Sequence, residues 1–157
     1  MKIAVLGYGN IGSGVVEVLR RNCAYVAKKA GQEIHVKYVL DLRDFPGDPM
    51  EDCVVHDIQK ITEDPEIEIV VETMGGLRPA YDFVKACLEK GKSVATSNKE
   101  LVAEYGAELM ELAEQKGANF LFEASVGGGI PIIRPLNQSV TSDEIYEITG
   151  ILNGTTN

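Results

Sequence analysis

The sequence contains no tryptophan, two histidines and three cysteines, and aromatic residues make up 6% of its 157 positions. Cys23, Cys53 and Cys87 are odd in number and far apart, with no C-x-x-C pair and no histidine at metal-ligand spacing. That excludes a disulfide framework and a zinc module, and the thiols read as reduced and buried. Apolar stretches such as 3–6 and 69–71 fall far short of the roughly 18 residues that a spanning helix needs, so no membrane partner is expected. The N-terminus runs from Met1 directly into Ile3-Ala4-Val5-Leu6, without the long apolar core or small-residue cleavage site of a signal peptide; a cytoplasmic location is expected. Positive charge is scarce too. Lys+Arg 15 against Asp+Glu 24 leaves a net charge of −9, which repels phosphate backbones and, without a local basic patch, argues against nucleic acid as a partner. Neither His35, at the start of a strand pattern, nor His56, in a polar turn, signals chemistry by itself.

What the sequence does have is 45% hydrophobic residues and 16 glycines, in a length that suits one globular domain. There are no internal repeats and no low-complexity tracts. Short apolar runs rich in β-branched residues alternate with longer segments of helical period, which predicts an α/β fold with a doubly wound, mainly parallel sheet of the Rossmann type. Strands are predicted over 2–6, 34–41, 67–72, 93–96, 119–124 and 144–152. Helices are predicted over 10 to about 29, 77–89 and 99 to about 116, with a helical turn at 58–61 and a short helix at 132–137. In the first helix Ile11, Val15, Val18, Leu19 and Val26 share a face, and Gly31 closes it. Pro79 suits a first turn, Asn98 an N-cap, and Gly91 and Gly117 helix stops. Pro46, Gly47 and Pro49 make 42–52 a loop, and the run Val126-Gly127-Gly128-Gly129-Ile130-Pro131 reads as another. Residues 1–137 thus form a nucleotide-binding domain, and 138–157 begin something else. The predicted strand 144–152 lacks neighbours, and its open edge and apolar face favour self-association, so a homo-oligomer is expected.

The strongest local feature is Gly7-Tyr8-Gly9-Asn10-Ile11-Gly12, directly after a strand and directly before a helix. In that context Gly7 permits a tight turn, Gly9 lets a pyrophosphate approach the backbone, and Gly12 lets helix and strand pack closely; the helix start supplies N–H groups and partial positive charge. No G-K-[ST] follows, which excludes a Walker-type loop. Asp41, closing the second strand, is the candidate acid for the adenosine ribose, although it follows the fingerprint at more than the usual ~20 residues. Arg43 is placed to meet a 2′-phosphate instead, so NAD or NADP both remain open. Further strand ends carry Glu72-Thr73-Met74-Gly75-Gly76, Thr96-Ser97-Asn98-Lys99 and Glu123-Ala124-Ser125. Lys99 stands at a helix start, where the helix already presents positive charge. That electrostatic misplacement hints at function: an ammonium beside a nicotinamide orients a carbonyl or carboxylate, or exchanges a proton.

Three long segments together resemble homoserine dehydrogenases: Asn98-Lys99-Glu100-Leu101-Val102-Ala103, the stretch from Phe122 to Ile133, and Gly150-Ile151-Leu152-Asn153-Gly154-Thr155-Thr156-Asn157. The resemblance covers essentially the whole chain. It implies an NAD(P)-dependent oxidoreductase that interconverts L-aspartate 4-semialdehyde and L-homoserine by hydride transfer, in the biosynthesis of threonine, methionine and isoleucine. It assigns coenzyme contacts to Gly9, Asn10, Ile11, Thr73 and Lys99. Gly7, Gly12, Asp41, Met74 and Gly75 complete the expected coenzyme set. Lys99 is the expected catalytic residue and borders substrate, with Gly154 and Thr155 in a substrate-side loop. The resemblance also implies a monovalent cation, typically sodium, at Glu123 and the backbone carbonyls of Val126, Gly128 and Ile130. Leu40 stands where NADP-favouring members carry an arginine, so NAD is expected to bind at least as well as NADP. In the family a substrate domain follows, carrying acidic substrate ligands and a proton-donating lysine; 138–157 then read as its incomplete beginning, and the chain as a coenzyme-binding portion inactive alone.

Two rivals are weighed against this. A semialdehyde dehydrogenase that oxidises its aldehyde needs a cysteine nucleophile at a strand tip or helix start, whereas Cys23 and Cys87 fall inside helix patterns and Cys53 in a loop. A stand-alone NAD-binding sensor without catalysis is the alternative from outside enzymology.

Overall fold

The computed structural model describes residues 1–140 and 142–150. Six strands form one all-parallel sheet: Lys2–Leu6 (β1), His35–Leu40 (β2), Val54–Val55 (β3), Ile67–Glu72 (β4), Ser93–Thr96 (β5) and Phe120–Leu121 (β6), in the spatial order β3-β2-β1-β4-β5-β6. The helices are Asn10–Arg21 (α1), Cys23–Ala30 (α2), Gln59–Thr62 (α3), Ala80–Glu89 (α4), Lys99–Gln115 (α5), Glu123–Gly127 (α6) and Ile133–Ser139 (α7). Ile3 to Leu6 are all buried, as a central parallel strand covered on both faces requires. On one face Leu6 shares a core with Leu88 of α4 and Leu101 and Leu109 of α5, and on the other Val5, Val39 and Met50 share one with Val16 of α1. Because strand order reverses between β1 and β4, a crevice opens at their carboxyl ends. No helix among the described residues is long and apolar enough to cross a membrane.

The predicted strands 2–6, 67–72 and 93–96 coincide with β1, β4 and β5, and Asn98 caps α5 by accepting from the Leu101 N–H at 3.1 Å. The departures have local causes. The single helix expected over 10–29 is broken at Asn22, whose φ −106°, ψ 22° is not helical, and α2 has no buried residue to hold the two in line. Its inward face runs through Gly12 and Val16, while Ile11 and Val18 are exposed. The helix expected from 77 begins at Ala80, with Pro79 at its N-cap position. The strand expected over 119–124 shrinks to two residues because the chain turns at Phe122 (φ −136°, ψ 24°) into α6. Val126 and Gly127 are therefore helical rather than loop, and the helix stops at Gly128, where φ is +62°. The strand expected over 144–152 is not formed in its described part. Residues 144–150 have no regular structure, and Ile145, Tyr146 and Ile148 are exposed for want of an apolar surface to cover them. Residues 151 and 152 lie outside the described residues. β3 was not predicted: two residues are too few to show a period. Of the three thiols only Cys87 is buried, and burial pushes it up to about 12; Cys53 is half-buried and Cys23 exposed.

Candidate functional site

The loop between β1 and α1 is shaped by its glycines. Gly7 has φ +90°, and a Cβ there would lie 2.9 Å from Met74 Cγ. A Cβ on Gly12 would lie 1.9 Å from the Gly7 carbonyl oxygen, so α1 reaches the loop at a distance only hydrogen permits. Gly9 differs: a Cβ there would meet nothing within 4 Å. Two of the glycines are filled against protein, and the third faces open space above the helix start. α1 carries no side-chain cap and no acidic residue in its first turn, which leaves its first N–H groups available to an anion.

Thr73, immediately past β4, ties that strand to the loop. Its backbone N–H donates to the Leu6 carbonyl at 2.9 Å, and its hydroxyl lies 3.0 Å and 2.9 Å from the carbonyl oxygens of Leu6 and Gly7. On the other flank Asp41, the first residue past β2, accepts the Tyr8 N–H at 2.8 Å. Arg43 closes on the same carboxylate through Nε at 2.9 Å and its terminal nitrogen at 3.0 Å, and the guanidinium holds Asp41 well below the usual carboxylate range. The Tyr8 ring meets Phe45 edge-on at 4.9 Å, and its hydroxyl donates to Asp48 at 3.0 Å, so the 42–52 loop is pinned over the glycine turn.

Between these flanks lies a cavity of about 470 Å³. Gly7, Gly9, Asp41, Thr73, Met74 and Gly75 line it, with Leu40, Leu42, Pro79 and Phe83 as apolar wall. Six of the expected coenzyme residues thus share one cavity, with Asn10, Ile11 and Gly12 on the adjoining first turn of α1. Ile11 is exposed there. Lys99 opens α5 on the same carboxyl edge, exposed, but does not line this cavity. Gly154 and Thr155 lie outside the described residues.

Glu123 receives an occupation the sequence did not suggest. Its carboxylate accepts backbone N–H groups at the start of α7, from Ile132, from Ile133 at 2.9 Å and from Arg134 at 2.8 Å, and these bonds lower its pKa. Two further residues were missed. Glu72 is wholly buried, and its carboxylate accepts the Met74 N–H at 2.7 Å. His56, set aside as a turn residue, lines the cavity beside Arg43. Glu72 was named only as part of a strand end and His56 only as a turn residue, since each acts through strands brought together by the fold.

A family model described as "Homoserine dehydrogenase, NAD binding domain" matches residues 7–123. The chain belongs to the homoserine dehydrogenase family. The homoserine dehydrogenase of Synechocystis sp. is 44% identical over 160 residues, covering 100% of this chain and 36% of that protein. A crystal structure of a homoserine dehydrogenase from Thiobacillus denitrificans superposes with a TM-score of 0.81 at 39% identity, over 90% of this chain and 33% of that one. A hyperthermophilic archaeal homoserine dehydrogenase in complex with NADPH gives a TM-score of 0.71 at 26% identity, over 86% of this chain and 47% of that one. The chain spans about a third of the length of the curated homoserine dehydrogenases it matches.

Proposed function

We propose that this chain holds a nicotinamide dinucleotide along the carboxyl edge of its sheet and presents it for the interconversion of L-aspartate 4-semialdehyde and L-homoserine. The observation that carries the reading is the open approach at Gly9 beside the cavity, in a turn whose other two glycines, Gly7 and Gly12, are packed against protein. When bound, the nicotinamide supplies or accepts the hydride. The chain's own residues do the rest. The backbone of Gly7, Gly9, Asn10, Ile11 and Gly12 takes the pyrophosphate, Asp41 takes the adenosine ribose, and Thr73, Met74 and Gly75 line the path of the dinucleotide. Lys99 supplies the one cation at the start of α5, to orient the carbonyl or carboxylate of substrate. Gly154 and Thr155 border substrate.

In the same reading 1–137 form the coenzyme-binding domain, 138–157 begin the substrate domain, and the whole enzyme is a cytoplasmic homo-oligomer. A monovalent cation at Glu123, Val126, Gly128 and Ile130 belongs to it as well. A carboxylate has about four lone-pair sites. Three of those on Glu123 are used by α7, and no step above depends on the cation.

Calorimetric titration of NAD into the 157-residue chain tests the reading. Saturable one-site binding is expected, reduced by at least about tenfold in Gly9→Val, because the added side chain fills the pyrophosphate approach from a position where a Cβ meets no protein atom within 4 Å. Equal affinity in that variant, with its melting curve unchanged, overturns the assignment.

A further inference from the structure

Leu40 pairs with Val55 across β2 and β3, so Asp41 and His56, the next residue of each strand, leave the sheet side by side. The Asp41 N–H still donates to Val55 at 3.2 Å. His56 Nδ1 lies 2.7 Å from the Asp41 carbonyl oxygen, and Nε2 lies 3.1 Å from an Asp44 carboxylate oxygen. A carbonyl and a carboxylate only accept, so both ring nitrogens are in donor positions, which is the arrangement of an imidazolium. The Asp41 carbonyl and the Asp44 carboxylate both raise the His56 pKa.

The charges around this corner are few. From the exit of β2 come Asp41, Arg43 and Asp44; from its own segment comes Asp57, whose carboxylate is taken by the Gln59 N–H at 2.9 Å. Across the cavity the wall is the uncharged Pro79 and Phe83, and the two charged residues around the start of α4, Arg78 and Asp82, are paired with each other and do not line it. Arg43 is balanced by Asp41, on which it lies in two-point contact. His56 is thus the group whose charge changes near neutral pH in a corner that is otherwise fixed. Asp44 is 84% exposed, so an incoming anion can displace it from the ring without dismantling any packing.

We propose that His56 selects the coenzyme by its protonation: as imidazolium beside Arg43 it recruits the 2′-phosphate of NADP, and as neutral imidazole it leaves Asp41 to favour NAD. The inference rests on the coenzyme reading above and adds a residue and a proton to it. Protonation strengthens the NADP side, so the ratio Kd(NADP)/Kd(NAD) rises with pH.

The test measures both dissociation constants on the 157-residue chain, with oxidised NAD and NADP, from pH 5.5 to 8, for the native protein, His56→Gln and His56→Lys. The 2′-phosphate itself titrates near pH 6. Its titration in the free coenzyme is common to all three proteins, so the difference between their profiles reports the side chain at position 56 and its coupling to the phosphate. Between the two extremes the ratio is expected to climb at least about threefold more in the native chain than in His56→Gln, with His56→Lys favouring NADP throughout. Parallel profiles in the native and His56→Gln chains, with NAD still bound, overturn the selector and leave the coenzyme site standing. Failure of NADP alone to bind overturns the selector, and failure of both coenzymes to bind the native chain overturns both readings.

Discussion

The carboxylate of Glu72 at the end of β4 accepts the hydroxyl of Thr96 at the end of β5, and both side chains are buried. The Thr96 oxygen in turn accepts the Asn98 N–H at 2.9 Å, and the Asn98 amide donates to the Gly76 carbonyl at 2.6 Å. Two strand tips and the cap of α5 are therefore one hydrogen-bonded unit, and the position of Lys99 is set by it.

Replacing Glu72 by Ala removes the acceptor of the buried Thr96 hydroxyl and of the part-buried Met74 N–H. Each unsatisfied buried group costs about 1 to 3 kcal/mol, so a loss of roughly 2 to 4 kcal/mol is expected from urea unfolding. Glu72→Gln keeps one acceptor oxygen and should lose less. Equal stability of the alanine variant and the native chain would mean that the unit bears no strain of this kind.

The sequence made the central strands and the glycine turn legible because they follow local rules: continuous apolar runs for buried parallel strands, and three glycines at fixed spacing between a strand and a helix. Family membership was legible through long motifs around Asn98, Glu123 and Gly150. The break at Asn22, the early turn at Phe122 and the unformed strand at 144–150 were not, because each depends on whether a tertiary neighbour exists to bury the segment. Of the residues that line the cavity, Gly7, Gly9, Asp41, Arg43, Thr73, Met74 and Gly75 were singled out in the sequence, whereas His56 was not, because it reaches the cavity only through the pairing of β2 with the two-residue β3.

Gly9 and Gly12 are expected to fail in different ways. At Gly12 the added Cβ meets the Gly7 carbonyl oxygen at 1.9 Å, which is backbone and cannot swing aside. Gly12→Ala must push α1 off the sheet, uncovering Val16 and Val5; we expect a melting temperature lower by several degrees together with weakened coenzyme binding. Gly9→Ala, at φ −82° and in open space, should melt as the native chain does. Differential scanning calorimetry of the pair, beside NAD titration, separates the two roles. A Gly12→Ala chain as stable as Gly9→Ala would refute the close approach.

Acid stability has a traceable contribution at the amino end of the sheet. Asp64 is held down to about 2, mainly by its bond to the Lys37 ammonium, which also lies 2.6 Å from Glu66. A carboxyl whose folded pKa is depressed stabilises the fold above its unfolded pKa, near 3.8, and loses that contribution as pH falls toward 2. The melting temperature should therefore decline between about pH 4.5 and 2, and Lys37→Met should flatten part of that decline. An identical slope in the variant would place the acid sensitivity elsewhere.

Lys99 gives a dissociation between stability and catalysis. It is exposed at the first position of α5, where the helix N-terminus already carries partial positive charge, so its ammonium costs rather than contributes helix stability. Lys99→Ala should leave the melting temperature of this chain unchanged or slightly raised. In a full-length homoserine dehydrogenase carrying this segment, the same change should lower kcat/KM for aspartate semialdehyde at least tenfold, about 1.4 kcal/mol of transition-state stabilisation. Lys99→Arg keeps the charge on a broader head that holds its proton more tightly, and should recover substrate binding more fully than turnover if the ammonium orients the carboxylate but also exchanges a proton. Near-native kinetics in Lys99→Ala would make this lysine a solvated helix residue and move the chemistry to other side chains.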